Sequence, residues 1–239
     1  MLRSLIMLIA IATTALTLNS CSDDGYSLDS FQLEVVTVVP QDGNSFYLKR
    51  DNGTTLWPAA PLHMNYEPKN DQRALLNYTI LSDAQGGYDH YIKINSMQNV
   101  LTKAIAADLG AKNDSVYGVD PVSIRRMYIG DNYLNVQFDF NDGGIKAHFI
   151  NLVNRSTADA PYVLEFRHNA FGDPAVVART GIVSFNLADL ANKQDKAIKL
   201  VIRVKTFQGD REYKIDYTPG IVSDAAQEGL SMPDDTGIN

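Results

Sequence analysis

Ile198-Lys199-Leu200-Val201-Ile202-Arg203-Val204-Lys205-Thr206, followed after a short break by Glu212-Tyr213-Lys214-Ile215-Asp216-Tyr217, is the stretch that settles the fold class. Ile198, Leu200, Ile202 and Val204 fall on one side of an extended chain, and Lys199, Arg203 and Lys205 fall on the other. Tyr213, Ile215 and Tyr217 repeat the pattern. Alternation with a period of two is the mark of a strand with one buried and one wet face.

Working outward, the same pattern predicts strands over 122–129, 132–140, 145–153, 162–167, 176–187, 198–207 and 212–217. The turn Asn141-Asp142-Gly143-Gly144 predicts a hairpin between the second and third of these, and 186–193 has room for one helical turn. Short strands with turns at regular intervals are the material of a β-sandwich, here an immunoglobulin-like one over 115–218. Upstream, alternation predicts strands over 31–39, 45–50, 54–57, 73–82 and 87–95, with hairpins at Pro40-Gln41-Asp42-Gly43-Asn44 and at Asp51-Asn52-Gly53. Val100, Leu101, Ile105 and Leu109, ahead of Gly110, have near-helical spacing and predict a short helix over 98–109. Five strands and a helix in so short a span suit an OB-like barrel over 31–112, with the polar stretch 110–115 as the domain boundary. The chain is therefore expected to be all-β. From 219 to 239 it turns acidic and loses periodicity, as a disordered tail would.

The first twenty residues read as a secretion signal: a basic start at Arg3, an apolar run from about Leu5 to Leu18, and a polar end at Asn19-Ser20. The run is shorter than the ~18–20 residues a helix needs to cross a bilayer. Leu18-Asn19-Ser20-Cys21 resembles the lipobox of bacterial lipoproteins, with Asn19 in place of the usual small residue. Cys21 is the single cysteine of the chain, and lipidation accounts for it better than a free thiol in an exported protein. The acyl chains would hold the protein in a membrane at about 0.8 kcal/mol per buried methylene. Residues 21–30 then form a tether. Within it, Ser22-Asp23-Asp24 resembles the export signal that carries some lipoproteins to the outer face of the outer membrane; a plain solvated tether facing the periplasm is the other reading.

Removing residues 1–20 takes one positive charge, Arg3, from the formal net charge of −7 and leaves −8. That acidity speaks against nucleic acid, which is bound by clustered Lys and Arg. No cysteine remains for disulfides, so the fold must rest on its apolar core.

The stretches Gly53-Thr54-Thr55-Leu56-Trp57-Pro58, Asn77-Tyr78-Thr79-Ile80-Leu81, Tyr133-Leu134-Asn135-Val136-Gln137-Phe138 and Arg167-His168-Asn169 with Gly172-Asp173 make the chain resemble the NigD-like lipoproteins over about residues 30 to 218. The resemblance implies an OB-like N-terminal domain and a C-terminal β-sandwich. It also implies bacteriocin immunity, the role proposed for the family's namesake.

His148 and His168 lie on neighbouring predicted strands, and Asp173 follows soon after, with Arg167 and Asn169 beside His168. Together they suggest a metal site, an acid/base cluster or a polar network. The network is preferred, because no close His pair organises ligands, and neither metal nor cofactor is expected. The nucleophile elbow G-x-S-x-G and the phosphate-cradling glycine loops are absent. Trp57, Tyr66, Tyr78, Tyr88 and Tyr91 offer a stacking surface for sugar rings or a peptide, with core packing as the alternative for most of them. The expected function is that of a non-catalytic surface lipoprotein that binds a protein or glycan partner. A glycan-binding scaffold and a hydrolase built on His148, His168 and Asp173 are the alternatives.

Overall fold

A computed structural model of the chain describes residues 27–28, 30–60, 66–191, 196–220 and 238–239. Cys21, Ser22, Asp23 and Asp24, and with them the signal and most of the tether, lie outside the described residues.

The first half closes into a five-stranded barrel. β1 (Gln32–Pro40) and β2 (Phe46–Arg50) form a hairpin through a turn in which Gly43 takes a φ of 71°, a left-handed conformation open to glycine at no steric cost. β3 (Thr55–Pro58) returns after Asn52, whose side chain accepts a hydrogen bond from Thr54 N at 3.0 Å, and Gly53, at φ 84°. β4 (Arg73–Ser82) and β5 (His90–Asn99) complete the order β1-β2-β3-β5-β4, in which β3 and β5 run parallel and β4 closes on β1. Five strands closed in this order make an OB-type barrel. Val36, Val38, Leu48, Leu56, Leu76, Tyr78 and Ile92 fill its interior.

The second half is a sandwich of two four-stranded sheets. One has the order β6-β11-β8-β7, with β6 Leu101–Ala104, β7 Ser123–Gly130, β8 Tyr133–Asp142 and β11 Val177–Asn186. The other is β13-β12-β10-β9, with β9 Phe149–Asn154, β10 Val163–Asn169, β12 Ile198–Thr206 and β13 Gly209–Tyr217. Between them pack Leu134, Phe138, Phe140, Ile150, Phe166, Phe185, Leu200 and Ile202, the inward halves of the alternating strands. Lys199, Arg203 and Lys205 face solvent, as their alternation requires. α2 (Ala188–Ala191) supplies the expected helical turn.

Three expectations give way. No helix spans 98–109: β5 runs to Asn99, β6 pairs parallel with β11, and helix appears later, as a 3-10 turn over Gly110–Lys112 and α1 (Asn113–Tyr117). The apolar residues that mimicked a helical face serve different partners. Val100 sits in a cluster with Val35, Leu75 and Ile182, while Leu101 and Ile105 pack on the sandwich core. The chain thus leaves the barrel at Val100, ahead of the polar stretch at 110–115. The turn Asn141–Gly144 likewise makes no hairpin: β8 pairs with β7 and β11, and β9 lies in the opposite sheet. Asp173 captures the turn instead, its carboxylate accepting from Gly143 N at 2.5 Å and from Ile145 N at 3.2 Å. A side chain at Gly143 would come within 2.7 Å of the Pro174 carbonyl oxygen. Finally, residues 221–237 of the expected disordered tail lie outside the described residues, and its last two, Ile238 and Asn239, pair beside β9.

Barrel and sandwich are joined by a buried polar knot. Arg73, on β4 and 0% exposed, places Nη2 2.6 Å from the carboxylate of Asp51, itself 2% exposed. Its Nη1 donates to Thr37 Oγ1 at 2.8 Å, and Thr37 in turn donates to Asp131, in the β7–β8 turn, at 2.8 Å. The guanidinium also lies over the Tyr133 ring, 4.9 Å from its centre. Burial raises the Asp51 pKa above the ordinary carboxylate range, against the pull of Arg73. Gly130 is where the sandwich makes room: a Cβ there would stand 2.2 Å from Asp51 Oδ2.

Candidate functional site

Strand alternation sorts the polar residues singled out in the sequence. On β10, Leu164, Phe166 and His168 face inward, whereas Glu165 and Arg167 face outward, because neighbours along a strand point to opposite faces. Arg167 therefore leaves the cluster and bonds Asp114 at 2.6 Å, the Gly118 carbonyl at 3.0 Å and Glu165 at 3.0 Å. Asn169 turns to the Val116 carbonyl at 3.2 Å and receives Phe171 N at 2.9 Å. His148, His168 and Asp173 do come together. His168 pairs with Ile150 across the β9–β10 ladder, and His148 is two residues further along the same face. Their ring nitrogens Nδ1 of His148 and Nε2 of His168 are 2.8 Å apart, and His148 Nε2 is 3.3 Å from Asp173 Oδ2.

Two further members went unread in the sequence. Asp142, taken there as a turn residue, has a carboxylate oxygen 3.8 Å from His148 Nε2 and bonds Arg179 on β11 through its other oxygen. A lone arginine within a predicted apolar strand was the one available signal for Arg179.

The cluster is sealed. His148 is 1% exposed, His168 is 3% exposed, and the Phe140 ring packs at 5.0 Å and 5.6 Å from theirs. At that separation one ring nitrogen donates a hydrogen bond to the other. Burial, and after it the neighbouring His148, hold the His168 pKa down at about 4, so His168 is neutral at neutral pH. Burial works to raise the Asp173 pKa, but the Gly143 N–H, the His148 ring and the Ile145 N–H together bring it below the usual carboxylate value. The side chains of Asp142, His148 and Asp173 have donor atoms within 4.8 Å of one another, a spacing a cation could use. Each carboxylate is already engaged, however: Asp142 by Gly144 N and Arg179, Asp173 by Gly143 N and Ile145 N. A general base must also reach its substrate. What this arrangement does mechanically is tie the loop at 142–147 to the loop at 170–176.

The aromatic residues of the barrel divide as well. Tyr78 is fully buried, its hydroxyl donating to Gln32 Oε1 at 2.6 Å, and Tyr66 packs on Phe46 and bonds Asn99 at 2.7 Å. Trp57 and Tyr88 stack at 4.7 Å and 28°, and Tyr47, which the sequence reading left out, leans on Tyr88 at 5.4 Å. Leu48, Leu56 and Ile92 point into the barrel, so Tyr47 on β2, Trp57 on β3 and Tyr91, level with Trp57 on β5, share the outer face. Tyr88 reaches this row from the β4–β5 loop. Strands 2 and 3 and the β4–β5 loop are where OB barrels present a ligand face.

A groove of about 420 Å³ on the outside of β10, β12 and β13 carries Arg167, Arg203, Lys205, Glu165 and Glu212. Arg203 bonds Glu212 at 3.0 Å, and Arg167 bonds Glu165 at 3.0 Å, so much of its charge is spent internally.

Comparison with known proteins agrees with this architecture. Residues 35–100 match the NigD-like N-terminal OB domain, and residues 104–217 match the NigD-like C-terminal beta sandwich domain. A crystal structure of a protein from Parabacteroides distasonis, described as toxin-related, is 47% identical with a TM-score of 0.75, over 80% of this chain and 95% of that one. A protein of unknown function from Bacteroides vulgatus is 25% identical with a TM-score of 0.70, over 83% and 97%. A NigD-like immunity protein from Bacteroides caccae is 24% identical with a TM-score of 0.64, over 80% and 98%, a likeness of fold. No curated protein matches the chain. Among the described residues no helix is long and apolar enough to cross a membrane.

Proposed function

The chain belongs to the NigD-like family, and from that membership we propose that it is a non-catalytic, lipid-anchored protein of the cell surface that binds a protein partner, in the manner of an immunity protein intercepting a toxin. One observation carries the binding: the half-exposed row of Tyr47, Trp57 and Tyr88 on the ligand face of the barrel. Tyrosine and tryptophan dominate the energetic centres of protein interfaces, since a large rigid ring removes much apolar area from water at little entropic cost. A non-catalytic role fits the enclosure of His148, His168 and Asp173, which gives a substrate no access to either imidazole. The anchor is the lipid on Cys21, and Ser22-Asp23-Asp24 directs the chain to the outer membrane and outward.

Deleting the gene should sensitise the cell to a co-encoded toxin, and a copy carrying Trp57→Ala should fail to restore protection. Unchanged sensitivity across a panel of such toxins would remove the immunity reading. The stacking of Trp57 on Tyr88 favours a second ligand class, since a pyranose ring packs flat on such a surface. Glycan arrays probed with the purified mature chain test it, and a blank array dismisses it.

A further inference from the structure

β9 is the last strand of its sheet, and a strand in that place presents unpaired main-chain groups on its outer side. Two short segments cover that side here. Ala106 takes one part, its N–H donating to the Leu152 carbonyl at 2.8 Å and its carbonyl accepting from Asn154 N at 2.9 Å. Ile238 and Asn239 take the other: Asn239 N donates to the His148 carbonyl at 2.6 Å, and Ile150 N donates to Asn239 O at 2.8 Å. Both segments run parallel to β9. The Ile238 side chain enters the seam between the sheets and joins the sandwich core. Gly181 on β11 forms the floor of this socket: a Cβ there would lie 3.3 Å from Ile238 Cδ1 and 3.0 Å from the Phe138 ring. The wall is fixed by the network already described, which holds His148 by its ring.

The socket continues beyond the two residues that fill it. Ile145, 71% exposed, stands just upstream of β9, and Val176 and Val177, 75% and 47% exposed, stand at the start of β11. Asp142, which bonds Arg179 and accepts Val176 N through its carbonyl, places these loops together around the entrance. Apolar side chains left uncovered at the mouth of a strand-pairing slot mark a binding surface larger than its present occupant. We propose that the half of the β9 edge held by Ile238 and Asn239 is a strand-addition site for an extended segment of a partner protein. Such a segment would place a branched aliphatic residue in the Ile238 socket and apolar residues over Ile145, Val176 and Val177, and Ile238-Asn239 would be the internal competitor it displaces. This site is separate from the aromatic face of the barrel and does not depend on it.

The test uses the full mature chain and a fluorescein-labelled peptide copying residues 232–239. In the Ile238→Asp chain the internal competitor is weakened, so the peptide should bind at least tenfold more tightly than it binds the wild-type chain, by fluorescence anisotropy. A peptide with Asp at the isoleucine position should bind neither chain. A folded Ile238→Asp chain that binds no peptide overturns the proposal. Hydrogen exchange on the wild-type chain gives a reading that needs no variant: the Ile150 amide should exchange at least a hundredfold faster than the amides of Val136 and Phe138, because the slot opens locally. Equal rates overturn it. A concentration-dependent wild-type dimer that Ile238→Asp abolishes would assign the slot to a second copy of the chain and overturn the assignment to a partner.

Discussion

Replacing Arg73 with methionine removes the cation from the knot between barrel and sandwich while keeping most of the side-chain volume. Asp51 is then left 2% exposed without its counter-charge. Removing one partner of a buried pair costs about 3–5 kcal/mol, most of it the penalty of the uncompensated group rather than the value of the pair. For a chain of this size, where 1 kcal/mol moves Tm by roughly 2–4 °C, the midpoint should fall by about 6–20 °C. The cost should also depend on pH. Burial already raises the Asp51 pKa, and loss of Arg73 raises it further, so the folded variant holds this proton more tightly than the unfolded chain does. Its stability is then greatest in acid and is lost as pH rises past the usual carboxylate range. Asp51→Asn should also destabilise the fold, and Arg73→Met/Asp51→Asn should lose at least about 1 kcal/mol less than the two singles summed, because the neighbours share one interaction. Urea unfolding followed by fluorescence and calorimetry measures all three. An Arg73→Met protein within about 1 kcal/mol of wild type, or strictly additive singles, would refute the reasoning.

The His168 pKa lies at about 4, against 6.5 for an ordinary histidine, so the fold favours its neutral ring; stability should be complete above pH 6.5 and decline as pH falls toward 4. The loss is about 3 kcal/mol at most, and His168→Gln should flatten that part of a pH–stability profile. Trp57→Ala should weaken partner binding by roughly tenfold or more while moving Tm little, since its ring lies on the outer face; binding and melting measured together check this. Gly130→Ala should destabilise by about 1–3 kcal/mol, because its methyl collides with Asp51, and urea titration would detect it. Cys21→Ser should release the protein from the membrane fraction, and Asp23→Ala/Asp24→Ala should leave it membrane-bound but protected from protease added to whole cells.

What the sequence determined by itself was local. Val36 and Val38, or Ile198 through Val204, alternate with a period of two, and such a pattern stabilises a strand wherever the strand finds its neighbours. Asn52-Gly53 likewise fixes its turn through its own backbone preferences. All-β character, the five barrel strands and seven of the eight sandwich strands were legible for that reason. Pairing was not, because it is decided by residues distant in the chain. Asn141–Gly144 has the composition of a hairpin, but Asp173 takes its amides, so the chain crosses to the other sheet. Residues 98–109 have a helical stripe, but β11 offers Leu101–Ala104 a parallel partner. The site divides along the same line. Tryptophan and tyrosine at 57 and 88 could be named in advance, yet their stacking with Tyr47 required the barrel to close. Arg73 met Asp51, and His148 met Asp142, only once tertiary packing had excluded water. In the unfolded chain water separates and solvates these polar groups; in the folded core, desolvation makes each depend on the other.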